Sequence, residues 1–597
     1  QVDKKITVAE FIADFAHEKL NVNTVFTVTG GGAMFLNDSF GNHSSLKAIY
    51  NHHEQASTMA GVGYAKAKNS YGVVCVTTGC GCTNSLTGLL DAWQDNVMLF
   101  VVSGQVKATN TSKLSSVPLR QFGVQEANII PIVDSITKYA VMIDDPKSIR
   151  YELEKAAFLS GEGRPGPVWI DVPQDIQGAL IEPENLEGFQ PSKVDLKSND
   201  ADFSEIHEIL SGAKRPVVLA GNGVRLAHME KELTEFVELN KIPTVFSYLS
   251  IDLLPSNHDL AIGRLGAKGD RAGNFTVQNS DCILVLGCRL SVALTGFEYK
   301  LFGREAKIIV IDIDEIEHKK NTVKVDKFLK MDLREFFKNQ NLDFTHESSW
   351  NSQCLSWRKK WPVYQECYRE EEYVNMYECI KCLGEKIPSN AHIVSDAGSA
   401  YYVTSQALQI KKGVKYHTSG AQADMGFSLP AAIGISYASD GDPIVGVTGD
   451  GSFQMNIQEL QVLAHNKPNV KIIILNNNGY LSIKTTQRKF FNDRFAGTGA
   501  EYGLSNPNFE QVTQAYGLQY IKAESPDELY QNMEKLFLNN KPCIFEVICP
   551  EWQEVIPNVS AVKLEDGSML SKPIEDMYPF LEREEFLEEM IVPPLKD

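Results

Sequence analysis

The hydrophobic positions of this chain fall into short runs, not long stripes. Runs bounded by Gly, Asp or Pro recur at Gly72–Thr77, Val97–Ser103 and Pro167–Val172, then at Pro216–Ala220, Cys282–Leu286 and Lys307–Ile311, and again at Pro443–Val447, Lys471–Leu475 and Cys543–Ile548. They are too short for buried helices and rich in Val and Ile, which predicts central strands of parallel sheets, buried on both faces. Helical patterns lie between them, at Val8–Glu18, Tyr151–Leu159 and Ile457–His465 among others. Strand, helix, strand in three successive blocks predicts an α/β protein of three doubly wound parallel-sheet domains. Polar stretches separate the blocks. Residues 178–200 hold Pro, Ser, Asn and acids and read as a linker. Residues 340–370 are polar and Trp-rich and read as a second connection. The expected domains are 1–180, 195–340 and 370–555, followed by a tail over 556–597. The acidic run Glu582–Glu589 in that tail reads as a solvated helix face.

Length and composition narrow the class. The 597 residues suit three or four domains, at roughly 100–200 residues each. A hydrophobic fraction of 43% and a charged fraction of 22% exclude a disordered scaffold, a collagen-like chain and a disulfide-stapled mini-protein. The net charge of −19 argues against nucleic acid or an anionic membrane as partner. No stretch approaches the ~18 apolar residues of a membrane span. No basic stretch followed by an apolar run opens the sequence, so no signal peptide is expected. The eleven cysteines, scattered from Cys75 to Cys549, show no repeated metal-type spacing. Cys379 and Cys382 form one CxxC inside a helical pattern, with no second pair, and read as core. Scattered free thiols fit a cytoplasmic location.

The chemistry concentrates after two of the apolar runs. Gly449-Asp450-Gly451-Ser452 follows Ile444–Val447, and Asn476-Asn477-Asn478-Gly479 closes the next strand. Both lie at carboxyl ends of parallel strands, where open α/β sheets bind ligands. A carboxylate and an amide oxygen converging there suit a hard cation such as Mg²⁺, which commonly bridges to phosphates. Gly451 and Ser452 would bring backbone N–H groups to a phosphate at the next helix start. Gly-Asp-Gly alone also describes a plain tight turn; the asparagine motif and the two preceding strands speak against that.

GDGSFQMN followed by NNN resembles the cofactor motif of thiamine-diphosphate (ThDP)-dependent enzymes. The resemblance extends over most of the chain and is closest to the acetolactate synthase group. It runs through His53-Glu54-Gln55-Ala56, Thr78-Gly79-Cys80-Gly81-Cys82-Thr83-Asn84, Gln125-Glu126, Gly163-Arg164-Pro165-Gly166-Pro167 and Met425-Gly426-Phe427-Ser428-Leu429-Pro430-Ala431-Ala432, in the family's order. The resemblance implies pyrimidine-binding, central and diphosphate-binding domains. It implies that Glu54 hydrogen-bonds the cofactor's aminopyrimidine and that Gln125 lies near the reacting carbons. Mg²⁺ would be held by the side chains of Asp450 and Asn477 and the carbonyl of Gly479. Met425 would bend the cofactor, and Gly398, Ser399, Ala400 and Tyr401 would meet its diphosphate, with Gly451 and Ser452. The active site would lie between two chains, giving a homodimer or homotetramer.

Three departures from that pattern bear on function. Thr486 stands where the group has a tryptophan that favours a small 2-oxo acid as acceptor, so a wider or more polar acceptor pocket is expected. Ala400-Tyr401 replaces a Gln-His at the diphosphate. In the segment matching the group's flavin loop, Arg289, Thr295 and Gly296 remain while both acids and a second arginine are gone. Leu265–Gly269 resembles another flavin-contacting loop, and Gly221-Asn222-Gly223 follows a strand. Two readings stand: an FAD site, or a vestigial nucleotide domain that only holds the dimer together. The expected activity is decarboxylation of a 2-oxo acid, pyruvate first, with acetyl transfer to a carbonyl acceptor such as a nucleotide-linked keto-sugar. A simple decarboxylase releasing an aldehyde and a catalytically silent ThDP-binding homologue are the alternatives.

Overall fold

The computed structural model describes residues 4–192 and 199–596. Three six-stranded sheets organise the chain, each wholly parallel. The first sheet runs Lys47–Tyr50, Thr24–Thr27, Gly72–Val76, Leu99–Gln105, Val168–Pro173, Tyr139–Met142 from edge to edge. The third runs Lys415–His417, His392–Ser395, Ile444–Gly449, Val470–Asn476, Cys543–Ile548, Gln519–Ala523. Numbered by their order in each domain, both sheets read 2-1-3-4-6-5. The central sheet, Ala261–Arg264, Thr244–Phe246, Pro216–Ala220, Cys282–Leu286, Lys307–Asp312, Lys327–Lys330, reads 3-2-1-4-5-6, the order of dinucleotide-binding sheets. In each sheet the three strands expected from the sequence lie side by side in positions three to five. They form there because their residues are buried on both faces.

The expected connections carry more structure than their polarity suggests. Leu180–Ile181 pairs antiparallel with Ile6–Thr7, and Phe189 packs on Tyr151 and Phe158, so the chain past Gly178 still belongs to the first domain. Residues 193–198 of the expected linker lie outside the described residues. Within 340–370, the helix Ser348–Lys360 is docked on the central sheet, with Trp350 Nε1 donating to the Pro216 carbonyl at 2.8 Å and Trp357 packed on Phe275. The tail helix Arg583–Glu589 is not wholly solvated. Phe586 is buried, and Glu589 accepts from Trp357 Nε1 at 2.7 Å and pairs with Lys360 at 2.8 Å. All eleven cysteines are free, and Cys379 and Cys382 are buried on the helix Met376–Lys386 as core. Among the described residues no helix is long and apolar enough to cross a membrane.

The first and third domains meet through two helices, Glu54–Lys68 and Ser428–Ala438. Their backbones approach closely because glycines face backbone. A Cβ on Gly434 would lie 1.9 Å from the Ala60 carbonyl oxygen, and one on Gly63 2.4 Å from the Ala431 carbonyl. Neither backbone can yield without opening the interface. Gly434→Ala is therefore expected to destabilise the chain by about 1–3 kcal/mol or more, read as a lowered thermal midpoint. An unchanged midpoint would remove the close-approach argument.

At the base of the third sheet, His392 Nδ1 and His417 Nε2 lie 3.0 Å apart and both rings are buried. Burial drives His417 well below the usual imidazole range and His392 to about 4. Both are neutral in the fold, whereas the unfolded chain protonates near pH 6.5. Their contribution is intact above that pH and lost as pH falls toward about 4. Buried Asp171 and Glu459, pushed up to about 7, act in the opposite sense, losing their contribution as pH rises from about 4 to 7. The His392→Gln/His417→Gln double variant should lose less thermal stability than the parent between pH 6.5 and 4. Parallel pH profiles would contradict the assignment.

Candidate active site

Two groups of expected site residues are assembled, one on the third sheet and one on the first. Adjacent strands Ile444–Gly449 and Val470–Asn476 pair in a register that sets Gly449 opposite Leu475, so Asp450 and Asn477 emerge side by side at the carboxyl edge. Asp450 is buried, and burial raises its carboxyl above the usual range. Its Oδ2 accepts from the Gly479 N–H at 3.0 Å and from Asn506 Nδ2 at 2.8 Å, and its Oδ1 from the Gly451 N–H at 2.8 Å. Asn477 is buried at the end of the neighbouring strand. Gly479 has φ of +147°, and a Cβ there would strike the Thr498 carbonyl at 2.2 Å, so the turn needs glycine.

These groups fit a hard cation. One carboxylate, one amide oxygen and a turn carbonyl form an oxygen set of the kind Mg²⁺ takes. Among the described residues no cluster of three His, Cys, Asp or Glu could hold a metal, and this set draws on only one such side chain.

Two further loops converge on the same edge. The helix Gly398–Ala407 begins here, leaving the N–H groups of its first turn available to an anion. Tyr401 sits in that turn, but its side chain is engaged elsewhere: the hydroxyl donates to the Gly420 carbonyl at 3.2 Å and the ring packs on Tyr248. Met425 is half-buried in the loop before helix Ser428–Ala438. Asp396 builds that loop, accepting from the N–H groups of Ala397, Gly426 and Ser428 and from the Ser428 hydroxyl. Ala423 takes a φ of +49°, rare for a residue with a Cβ, two positions before Met425.

On the first domain, Glu54 opens the helix Glu54–Lys68, capped by His53 Nδ1 accepting from the Gln55 N–H at 3.1 Å. Its carboxylate is buried, accepts from Asn84 Nδ2 at 3.3 Å, and gains from the helix's positive end. A Cβ on Gly79 would strike the Gln125 carbonyl oxygen at 2.1 Å, so Gly79 admits the Gln125 loop against the Thr78–Asn84 turn. Gln125 itself has φ of +62° and is exposed. Glu54, Asn84 and Gln125 thus share one neighbourhood. Within the chain, no hydrogen bond or ion pair among the described residues joins Glu54 to Asp450 or Asn477.

Sequence reasoning missed several residues of this edge. Asp396, Asn506 and Ala423 belong to no motif it used; Asp396 directly after the apolar strand His392–Ser395 was the available signal. It also missed Lys484, a buried lysine whose ammonium would lie 3.1 Å from a Cβ on Gly479. Thr486 is exposed on the helix Leu481–Phe491, its hydroxyl donating to the Ser482 carbonyl at 3.2 Å.

The central domain carries a cavity of about 350 Å³ at the carboxyl edge of its sheet, lined by Asn222, Gly223, Arg289, Asp312 and Asp332 with residues of both outer domains. Of the four residues expected for a flavin, Arg289 lines it. Gly221 packs behind, against Gly287 and Cys288, Thr295 is buried with its hydroxyl on the Gly296 carbonyl, and Gly296 faces Ile574 of the tail.

Three family models match in succession: thiamine pyrophosphate enzyme, N-terminal TPP binding domain over residues 6–132; central domain over 203–339; and C-terminal TPP binding domain over 396–547. The chain is 31% identical to the acetolactate synthase large subunit of Lactococcus lactis over 552 residues, covering 91% of this chain and 93% of that protein. The chain belongs to the thiamine pyrophosphate enzyme family. Within that family it is acetolactate synthase-like, an enzyme of the carboligase type. It is likewise 31% identical to a chloroplastic acetolactate synthase of Arabidopsis thaliana, covering 91% of this chain and 82% of that protein. The large subunit of Cyanidium caldarium is 28% identical, with 94% of that protein covered. Each of the three matched ranges falls on one of the three sheets.

Proposed function

We propose that this thiamine pyrophosphate enzyme decarboxylates pyruvate and transfers the acetyl unit to an acceptor carbonyl larger than a second 2-oxo acid. The observation that carries the reading is the strand register that sets Asp450 and Asn477, both buried, at adjacent strand ends. In this reading Asp450, Asn477 and the Gly479 carbonyl hold Mg²⁺. The helix starts at Gly398, Ser399 and Ala400 and at Gly451 and Ser452 receive the diphosphate, and Met425 supports the bend of the cofactor. Bound ThDP supplies the electron sink for the pair left when carbon dioxide departs. Glu54 exchanges the proton at the aminopyrimidine nitrogen, with Asn84 fixing its carboxylate. Gln125 orients the reacting carbonyl. Thr486, small and exposed, leaves the acceptor side open.

The test is an NMR time course of pyruvate with ThDP and Mg²⁺, first alone and then with a nucleotide-linked keto-sugar. Slow consumption to traces of acetaldehyde or acetate is expected alone, and a ligated product with the keto-sugar. Rapid accumulation of acetolactate would instead make a second pyruvate the acceptor and remove the Thr486 argument.

The complete site is read as shared between two chains of a homodimer or a dimer of dimers. Support comes from the separate partners of Glu54 and Asp450 within one chain. Exposed Leu114, Val117, Leu119, Phe122 and Val124 beside Gln125 offer an apolar face for a second copy. For the central cavity, the sheet order and Arg289 favour a nucleotide such as FAD. A flavin absorbance spectrum in protein purified with added FAD is the expected result; its absence would leave a domain that only holds the dimer. The eleven unpaired thiols, with Cys80 and Cys367 exposed, support a reducing cytoplasm.

A further inference from the structure

Gln105 closes the strand Leu99–Gln105 at the carboxyl edge of the first sheet. It is 2% exposed, and its amide makes four hydrogen bonds inside the protein. Its Oε1 accepts from the Thr78 hydroxyl at 2.9 Å and from the Val106 N–H at 3.0 Å. Its Nε2 donates to the Ala127 carbonyl at 2.8 Å and to Asp171 Oδ2 at 3.1 Å. The partners fix which way the amide faces, because a backbone N–H can only donate and a carbonyl can only accept. Asp171 is itself held on the adjacent strand Val168–Pro173. Its Oδ1 accepts from the Ser103 hydroxyl at 2.7 Å, and that hydroxyl accepts from Trp169 Nε1 at 2.8 Å.

The two loops joined by this amide carry the first domain's part of the site. Thr78 opens the turn whose Asn84 donates to Glu54 Oε1, and a Cβ on Gly81 of that turn would lie 3.4 Å from Glu54 Oε2. Ala127 lies two residues after Gln125, whose φ of +62° is held only where its surroundings impose it. The loops meet a second time where Gly79 admits the Gln125 carbonyl. The contacts therefore close a ring. It runs from Gln105 to Thr78, along the chain to Gly79, across to Gln125, along to Ala127 and back to Gln105. Other side-chain ties to the Gln125 loop come from Glu126 to the Ser112 N–H and from Gln121 to the Glu126 carbonyl, both within neighbouring loop segments. Gln105 ties it to the sheet. With both crossings closed, neither loop shifts without moving the other.

We propose that Gln105 is a positioning residue for the reaction, holding the Glu54 turn and the Gln125 loop in one register so that both residues meet the same reacting centre. The inference rests on the roles given above to Glu54 and Gln125. Gln105 touches neither substrate nor cofactor in it and acts through those two side chains. Loss of its amide should disturb both at once. Loss of the hydroxyl of Ser103, deeper in the same network, removes a bond to Asp171 but none to either loop. That loss should lower stability and leave the chemistry in place.

The experiment compares the parent with Gln105→Met, which keeps an unbranched side chain without the amide, with Thr78→Val, which removes one bond of the ring, and with Ser103→Ala. In the full chain without cofactor, amide hydrogen exchange is read over residues 78–84 and 123–128. It should quicken at least tenfold in both segments in Gln105→Met, in 78–84 alone in Thr78→Val, and in neither in Ser103→Ala. With ThDP and Mg²⁺ saturating, pyruvate consumption should fall at least tenfold in Gln105→Met and stay within threefold of the parent in Ser103→Ala. Thr78→Ser, which keeps the hydroxyl, should restore what Thr78→Val loses. Because Gln105 acts through Glu54 and Gln125, its loss should matter at least threefold less when Gln105→Met is added to Glu54→Gln or to Gln125→Ala. Unchanged amide exchange in Gln105→Met overturns the inference, and if that variant does not fold, unchanged exchange over 78–84 in Thr78→Val does so. Fully additive losses, or an equal loss of turnover in Ser103→Ala, also overturn it and leave Gln105 a structural support. If Glu54→Gln and Gln125→Ala themselves leave turnover unchanged, the reading of those two residues fails and the inference falls with it. Additive losses with both single variants impaired remove Gln105 alone.

Discussion

Glu54→Gln is expected to reduce turnover by about 10²-fold or more, with ThDP affinity changed little. The substitution keeps size and one hydrogen-bond acceptor but removes the group that can carry the proton at the aminopyrimidine. Asn84 Nδ2 can still donate to the remaining amide oxygen, so the turn Thr78–Asn84 and the helix start should persist. The His53 cap, which anchors that start, is untouched. The expected signature is therefore a loss in kcat with normal cofactor binding, measured by steady-state kinetics and by ThDP titration. Turnover within twofold of the parent would remove Glu54 from the mechanism. Loss of ThDP binding with loss of turnover would instead make it a structural support.

Asp450→Ala is expected to act on binding, and strongly. It deletes the one carboxylate of the proposed cation site and three accepted hydrogen bonds, from Gly479, Asn506 and Gly451. Their donors would be left without the acceptor that orders the turn, a cost of about 1–3 kcal/mol for each buried group. ThDP affinity at limiting Mg²⁺ should fall by at least about 10²-fold, since each 1.4 kcal/mol is tenfold. Equal affinity at limiting metal would refute the assignment. The two variants also test the shared site together. Mixed and re-associated, Glu54→Gln and Asp450→Ala chains should recover about a quarter of parental activity, because half the dimers are hybrids with one intact site. No recovery, in the presence of demonstrated hybrids, would place both residues in one chain's own site.

Much of this architecture was legible before any coordinates. The strands read from the sequence are those at positions three to five of each sheet, because burial on both faces leaves an unbroken apolar run. The strands it did not give, such as Thr24–Thr27, Lys327–Lys330 and Gln519–Ala523, lie toward the edges. Lys327–Lys330 and Gln519–Ala523 mix exposed and buried residues, so their pattern does not stand out from a loop. The stretch 340–370 misled for a related reason: the Trp residues that dock its helix are few, and the polar residues around them dominate the average.

The site divides in the same way. The positions of Asp450, Asn477, Gly479 and Glu54, just after strands or at a helix start, were readable because the motifs that hold them sit at fixed spacings from the apolar runs. Asp396 and Asn506 were not, since each acts by hydrogen bonds across distant loops. The sequence by itself determined the three-domain α/β plan, the family and the motif residues, because those follow from local periodicity and short spacings. Only the tertiary structure decided which strand ends share an edge, and that Tyr401 turns its ring away from the cofactor edge toward Tyr248. It alone also set the Lys268 ammonium of the central domain over the Tyr402 ring of the third. Such contacts join residues far apart in the chain, and their energies depend on distance and burial, which no local pattern encodes.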